Sequence, residues 1–205
     1  NEWSKIFSYR EKIHERYAEV WDIPLIKKRS QLLKRFLRDG MSLLDIGAGM
    51  KGVKDEAERI NTKILYKSMD IDRGNVHDFY DIDDIHEQFD VIALFEVIEH
   101  MSLEDGLNLL KKLRQALKEN GIIIVSTPNI FNPSRFMRDA THKTFYAYDE
   151  LCGLLNLAGF GIQEVYRSFN DALHRYILKV YLLSFLFRFF CIDYAYSIFV
   201  VGKKR

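Results

Sequence analysis

Residues 43–52 read Leu-Leu-Asp-Ile-Gly-Ala-Gly-Met-Lys-Gly, an apolar run that breaks into closely spaced glycines. A short apolar run bounded in this way is a buried strand, and the glycines behind it let the backbone turn tightly and approach a ligand. The rest of the chain must therefore cover a strand on both faces, and its pattern agrees. Ile64 to Met69 reads as a second strand, and Phe89 to Phe95 is continuously apolar, as in a parallel strand sandwiched by helices. Ser102 opens a helix with Asp105 at the capping-box position; Leu103, Leu107, Leu110, Leu113 and Leu117 form one face, and Asn120-Gly121 is its stop signal. Gly121 to Ser126 is the next strand, Asp149 to Leu157 a helix, and Ile162 to Phe169 and Ala195 to Gly202 two late strands. Residues 3–38 read as helical, broken near Asp22-Ile23-Pro24. Strands alternating with helices predict an α/β fold with a mostly parallel sheet. The length suits one domain over residues 1–205, with a helical cap at 1–40.

Gly47, Gly49 and Gly52 fit G-x-G-x-x-G, which holds a pyrophosphate in dinucleotide folds. The same loop can hold the aminocarboxypropyl group of S-adenosylmethionine. Asp45 favours the latter, because a carboxylate repels a pyrophosphate and accepts hydrogen bonds from an ammonium. The long segment before this strand also favours it. An acidic residue ending the next strand would hold ribose hydroxyls, and Asp70 is placed for that, with Asp72 in reserve. That feature suits both cofactors, so an NAD(P)-dependent oxidoreductase stays as the alternative, although no Tyr-x-x-x-Lys hydride-transfer pair is present.

Across residues 40–202 the combined pattern resembles the class I S-adenosylmethionine-dependent methyltransferases. Leu43 to Gly49 is similar to their first motif, Tyr66 to Ile71 to the second, and Phe89 to His100 to the fourth-strand motif. The resemblance implies a Rossmann-like, seven-stranded, mostly parallel sheet with an antiparallel last strand and helices on both faces. Tyr194 to Lys204 would be that last strand. It implies that Gly47, Ala48 and Gly49 line the methionine part of the cofactor, and that Asp70, with Ile71 beside it, holds the ribose. Asp81 with Ile82 would meet the adenine, Asp78 being the other candidate, and Phe95 and Glu96 would close the pocket. S-adenosylhomocysteine would be the product. One departure stands out: the family's third glycine falls at Lys51, with Gly52 one place later.

Amine-directed relatives often carry Asn/Asp-Pro-Pro-Tyr after the fourth strand. Here Phe95-Glu96-Val97-Ile98 stands in that place, which points to a hydroxyl acceptor. A hydroxyl needs a base or a metal at neutral pH. Glu96, Glu99 and His100 share one face of a helical turn at the carboxyl end of a parallel strand, where ligands of open α/β sheets bind. With His142 they make a hard-cation site for Mg²⁺ or Mn²⁺. The alternative is that Glu96 touches the cofactor, Glu99 caps backbone amides and His100 or His142 is a plain base. The Glu-x-x-Glu-His motif with a later His is similar to the small-RNA 2′-O-methyltransferases. Bacterial enzymes acting on glycans, lipids and quinone-type metabolites share the surrounding tract. The tryptophan expected after the late His in the RNA group is missing.

The formal net charge is +1, which argues against nucleic acid; the resemblance to the bacterial enzymes implies a small-molecule, glycan or lipid-linked acceptor. Residues 130–150, with Arg135, Arg138, Lys143, Tyr146 and Tyr148 around His142, read as a substrate lid suited to an anionic acceptor. Tyr17 and Trp21 would close the other side or fill the core. Lys27-Lys28-Arg29 reads as the solvated face of a helix. Cys152 and Cys191 read as reduced core thiols of a cytoplasmic protein. Residues 171–193 read as an apolar helical insertion. Interrupted by Arg188, it is short of the ~18 clean residues of a spanning helix. Its expected place is between the last two strands or in a homodimer; an interfacial helix at the inner membrane is the other reading. A non-catalytic S-adenosylmethionine-binding domain is the remaining alternative.

Overall fold

Six of the seven residues in Phe89–Phe95 are apolar because both sides of that strand are covered. Ile92 and Leu94 belong to one core; Val91, Ala93 and Phe95 belong to a second core on the opposite face. The computed structural model describes residues 3–60 and 63–205. Along the chain lie α1 (Ser4–Arg16), β1 (Leu25–Ile26), α2 (Ser30–Phe36), β2 (Ser42–Ile46), α3 (Gly52–Ile60), β3 (Leu65–Met69), β4 (Phe89–Phe95) and α4 (Leu103–Gln115). They are followed by β5 (Leu117–Pro128), α5 (Pro133–Phe136), α6 (Tyr148–Leu157), β6 (Phe160–Ser168), α7 (Leu173–Ile177), α8 (Ser184–Phe189) and β7 (Ser197–Lys204). The sheet order is β1-β6-β7-β5-β4-β2-β3. Only β7 runs against its neighbours, β5 and β6. This is the Rossmann-like sheet that the sequence predicts, with helices on both faces.

Three features stand apart from the expected pattern. The seventh strand is β1, which pairs in parallel with the outer edge of β6 through Leu25 and Ile26, inside a segment expected to be helical. Pro24 ends the preceding turn and exposes an extended dipeptide to the β6 edge, where Arg167 donates its amide to the Pro24 carbonyl. Beyond β3, among the described residues, the pairing is a single isolated bridge, Met69 to Phe79. The helix that begins at the Ser102 cap ends at Gln115, before the Asn120-Gly121 signal. Leu117 is fully buried and pairs with Phe89, so the chain is already strand there, and Asn120 (φ 64°) turns it within β5.

Tyr146 and Tyr148 are buried in the core, not part of a mobile cover. Tyr17 is buried too, its carbonyl accepting from the Tyr148 hydroxyl at 2.8 Å. Cys152 is buried as expected, whereas Cys191 is exposed.

The α7–α8 region does not fill a space between strands. None of the residues of α7, the π-turn Leu178–Leu182 or α8 is buried. No helix among the described residues is long and apolar enough to cross a membrane.

Candidate active site

The glycine loop and the end of β4 lie side by side because β2 pairs with β4, Ile46 opposite Leu94. Gly47 has φ +69°, and a Cβ there would stand 2.3 Å from the Val97 side chain. Only glycine lets the residue after Glu96 sit on the loop. The departure at Lys51 is accommodated by conformation: Lys51 itself takes φ 56°, the left-handed backbone a glycine would supply, and its amide donates to Ala48 at 2.7 Å. Asp70 is tied to this loop, its Oδ2 accepting from the Gly49 amide at 2.8 Å and its Oδ1 from Asp72 at 2.9 Å. Ile71 is 82% exposed and Met50 86% exposed. Two large apolar side chains left open around a glycine loop and a carboxylate fit a ligand with an aromatic ring and a ribose.

Asp45 is 2% exposed, and its Oδ2 accepts from the Tyr66 hydroxyl at 2.7 Å. Burial raises its carboxyl to about 6, and the Tyr66 hydrogen bond offsets part of that rise. The folded chain therefore binds this proton more tightly than the unfolded chain. Stability falls as pH rises from about 4 to about 6, and the full penalty remains at neutral pH. Asp45→Asn should raise the melting temperature of the free protein at neutral pH, by a stabilisation on the order of 2 kcal/mol, while weakening S-adenosylhomocysteine binding. Thermal unfolding at neutral pH and near pH 4 checks this, since the gain should vanish at the acidic end. A gain that is the same at both ends would refute the titration account.

The two candidates for adenine contact have structural duties. Asp78 Oδ2 accepts from the Ser68 amide at 2.8 Å and the Ser68 hydroxyl at 2.9 Å, and those bonds help hold its carboxyl below the usual range. Asp81, followed by Ile82, caps a short turn, accepting from the Asp83 amide. Neither makes a contact that distinguishes it for adenine.

Glu96 ends β4 with φ 55°, an uncommon backbone for a non-glycine residue that is typical of functional sites. Its Oε1 accepts from the Ser126 hydroxyl at 2.7 Å on the neighbouring strand. The side chain is open to the cleft, yet the surrounding protein raises its carboxyl, against the pull of Ser126 and Ser197. Glu99 is fully buried, and neither carboxylate oxygen makes a well-formed hydrogen bond, although the Thr127 hydroxyl is near enough to favour its charged form. Burial and then the neighbouring Glu96 charge push it up to about 8.

The 130–150 segment is fastened above this carboxylate. The Lys143 and Thr144 amides donate to the Glu99 carbonyl at 2.7 and 3.1 Å. The same loop brings Thr141 to His100 Nδ1 at 2.8 Å and His142 Nδ1 to the Phe136 carbonyl at 2.9 Å. The two imidazoles lie edge to face at 4.8 Å. One ligand atom each from Glu99, His100 and His142 falls within 4.8 Å of the other two. Glu96 lines the same cleft, of about 480 Å³, but does not join that group. Arg135, Arg138 and Asp139 form its far wall.

The sequence model of the methyltransferase domain family matches residues 9–165. The chain belongs to the methyltransferase domain family. No curated protein matches it in a sequence search. Among solved structures it is similar to a S-adenosylmethionine-dependent methyltransferase from Archaeoglobus fulgidus (TM-score 0.65, 16% identity, 85% of this chain and 94% of that one). It is also similar to one from Mesorhizobium loti (TM-score 0.61, 15% identity, 86% and 97%). The [4+2]-cyclase SpnF has the same fold (TM-score 0.59, 17% identity, 85% and 80%), so fold alone does not name a reaction. The family match does: the protein is a class I S-adenosylmethionine-dependent methyltransferase, and the oxidoreductase reading of the glycine loop falls.

Sequence reasoning missed Arg29 in this methyltransferase. It is not part of a solvated face: it bonds Glu56 at 3.1 Å, lies 5.6 Å from the Phe95 ring and closes on Gly52. Its charge acts on both Asp45 and Glu96. A basic residue in a basic run gives no sign of such a place.

Proposed function

We propose that this methyltransferase acts on a hydroxyl of a small-molecule, glycan or lipid-linked acceptor, with Glu99, His100 and His142 holding a divalent cation. The observation that carries the reading is the Glu99 carboxylate, buried beside two histidines with no well-formed hydrogen bond, the Thr127 hydroxyl being its polar neighbour. An unpaired buried carboxylate is costly unless it neutralises or meets a cation. His142 suits a ligand, because its Nδ1 is engaged by the Phe136 carbonyl, leaving Nε2, 3.9 Å from the Asp139 carboxylate and too far for a hydrogen bond, as the ligating nitrogen. Thr141 likewise fixes the His100 ring.

When bound, S-adenosylmethionine supplies an electrophilic methyl group and the cation a Lewis acid for the acceptor oxygen. The chain's own residues do the rest. Asp45, the glycine loop and Asp70 orient the donor. Glu96 shapes the wall between donor and cleft. Arg135 and Arg138 favour an acceptor with an anionic group.

Titration of Mn²⁺ into the protein by calorimetry, with methyl transfer assayed in EDTA, tests the reading. Binding of one Mn²⁺ and loss of activity in EDTA, restored by Mg²⁺ or Mn²⁺, are expected. Full activity in EDTA would leave His100 or His142 as a plain base.

A further inference from the structure

Between β6 and β7 the chain presents its least typical surface. Ile177, Tyr181, Leu182, Phe185, Phe189 and Phe190 are each at least half exposed, on or just after three short helical pieces none of whose residues is buried. The segment is nonetheless fixed to the body. Tyr176 packs 5.5 Å from Phe169, Phe187 5.0 Å from Tyr194, and Trp21 Nε1 donates to the Ile192 carbonyl at 3.2 Å. A cluster of large exposed apolar side chains on an anchored segment marks an interaction site.

Charge selects the occupant. Residues 172–192 contain Arg175, Lys179 and Arg188 and no carboxylate. The adjoining Asp171 pairs with both Arg175 and Lys179, leaving one cation in surplus there and Arg188 besides. A second copy docking face to face would set these cations against their own equivalents with no acid to meet them. An anionic surface meets them favourably, and the aromatic side chains suit the headgroup level of a bilayer.

The position adds a third argument. A groove of about 490 Å³ runs inward from Lys179, Phe187 and Ile192 to Arg135 and Arg138, which also line the Glu99–His100–His142 cleft. Arg135 lies over the Tyr196 ring at 3.8 Å, and Arg138 has no ion-pair partner among the described residues. The groove carries Lys179, Arg135 and Arg138 beside the apolar side chains of Phe131, Phe187 and Ile192, a lining that fits an anionic amphiphile.

We propose that residues 173–192 dock this methyltransferase on an anionic lipid bilayer, with the groove opening toward the headgroups. The exposure and charge arguments are independent of the reacting residues, and the groove argument rests on the cleft proposed above. Sedimentation with vesicles of phosphatidylcholine, alone or mixed with phosphatidylglycerol, tests it. Binding to the mixed vesicles, at least about tenfold weaker on phosphatidylcholine alone, is expected. Phe185→Ser/Phe189→Ser should weaken binding about tenfold or more. Arg175→Glu/Arg188→Glu, at exposed positions, should remove the preference for phosphatidylglycerol. S-adenosylhomocysteine affinity should stay unchanged in both, which separates docking from the cofactor site. Failure of the unaltered protein to sediment with mixed vesicles would overturn the proposal. So would a dimer, seen by light scattering, that the Phe185→Ser/Phe189→Ser change dissociates.

Discussion

Methyl transfer by His142→Ala should fall by at least about a hundredfold, with S-adenosylhomocysteine affinity unchanged, because a base or a ligand at the reacting oxygen is worth on the order of 10²–10⁴. His142 lines the cleft with Glu96, Glu99 and His100, and no residue of the glycine loop lines it. Its ring packs against Phe136 (4.6 Å) and His100 (4.8 Å), and its Nδ1 meets the Phe136 carbonyl at 2.9 Å. The ring is therefore oriented before any acceptor arrives, and truncation removes a fixed nitrogen, not a mobile one. The two chemical roles differ in a second readout. A ligand loss should be partly offset by raised Mn²⁺, whereas loss of a base should not. A drop in kcat/KM of less than about threefold would remove His142 from the chemistry altogether.

How much of this was legible in the sequence depends on how local each signal was. The β4 run and the Ser102 cap are written in adjacent residues, and both stand where predicted. The glycine loop is equally local, and even its odd feature, Lys51 in place of a glycine, is resolved by one backbone angle. The spacing of Glu99 and His100 brought two of the clustered side chains together. His142, 42 positions beyond His100, could be joined to them only through family resemblance.

Edges and long-range partners were not legible. Strand β1 exists because the β6 edge receives it, not because Leu25-Ile26 has a strong strand pattern of its own. Within residues 171–193 the chain forms three short helical pieces, and their apolar pattern does not say what covers them: none of their residues is buried. The acidic tract at 78–84 offered several equivalent carboxylates. Only the fold shows Asp78 engaged with Ser68 and Asp81 with a turn.

The largest expected loss of stability lies away from the cleft, at a pair that no local pattern announced. Arg167 and Asp193 are 26 residues apart, both almost wholly buried, with Nη1 to Oδ1 at 2.9 Å. Arg167 also donates to the Ile23 and Trp21 carbonyls at 3.0 Å, and Asp193 Oδ2 accepts from Asn129 at 2.8 Å. One guanidinium thus joins the segment before β1, strand β6 and the approach to β7. Arg167→Met strands the Asp193 charge in the core and leaves two carbonyls without donors. Breaking a buried pair in this way costs roughly 3–5 kcal/mol. At about 2–4 °C per kcal/mol for a chain of this size, the melting temperature should fall by roughly 6–20 °C. The pair itself need not be stabilising, since desolvating two charges consumes most of what their attraction returns. Arg167→Met/Asp193→Leu should therefore recover part of the loss, although the carbonyls of Trp21 and Ile23 stay unpaired. A double variant as unstable as the sum of its single changes would show that the network acts through its separate hydrogen bonds and not through the ion pair.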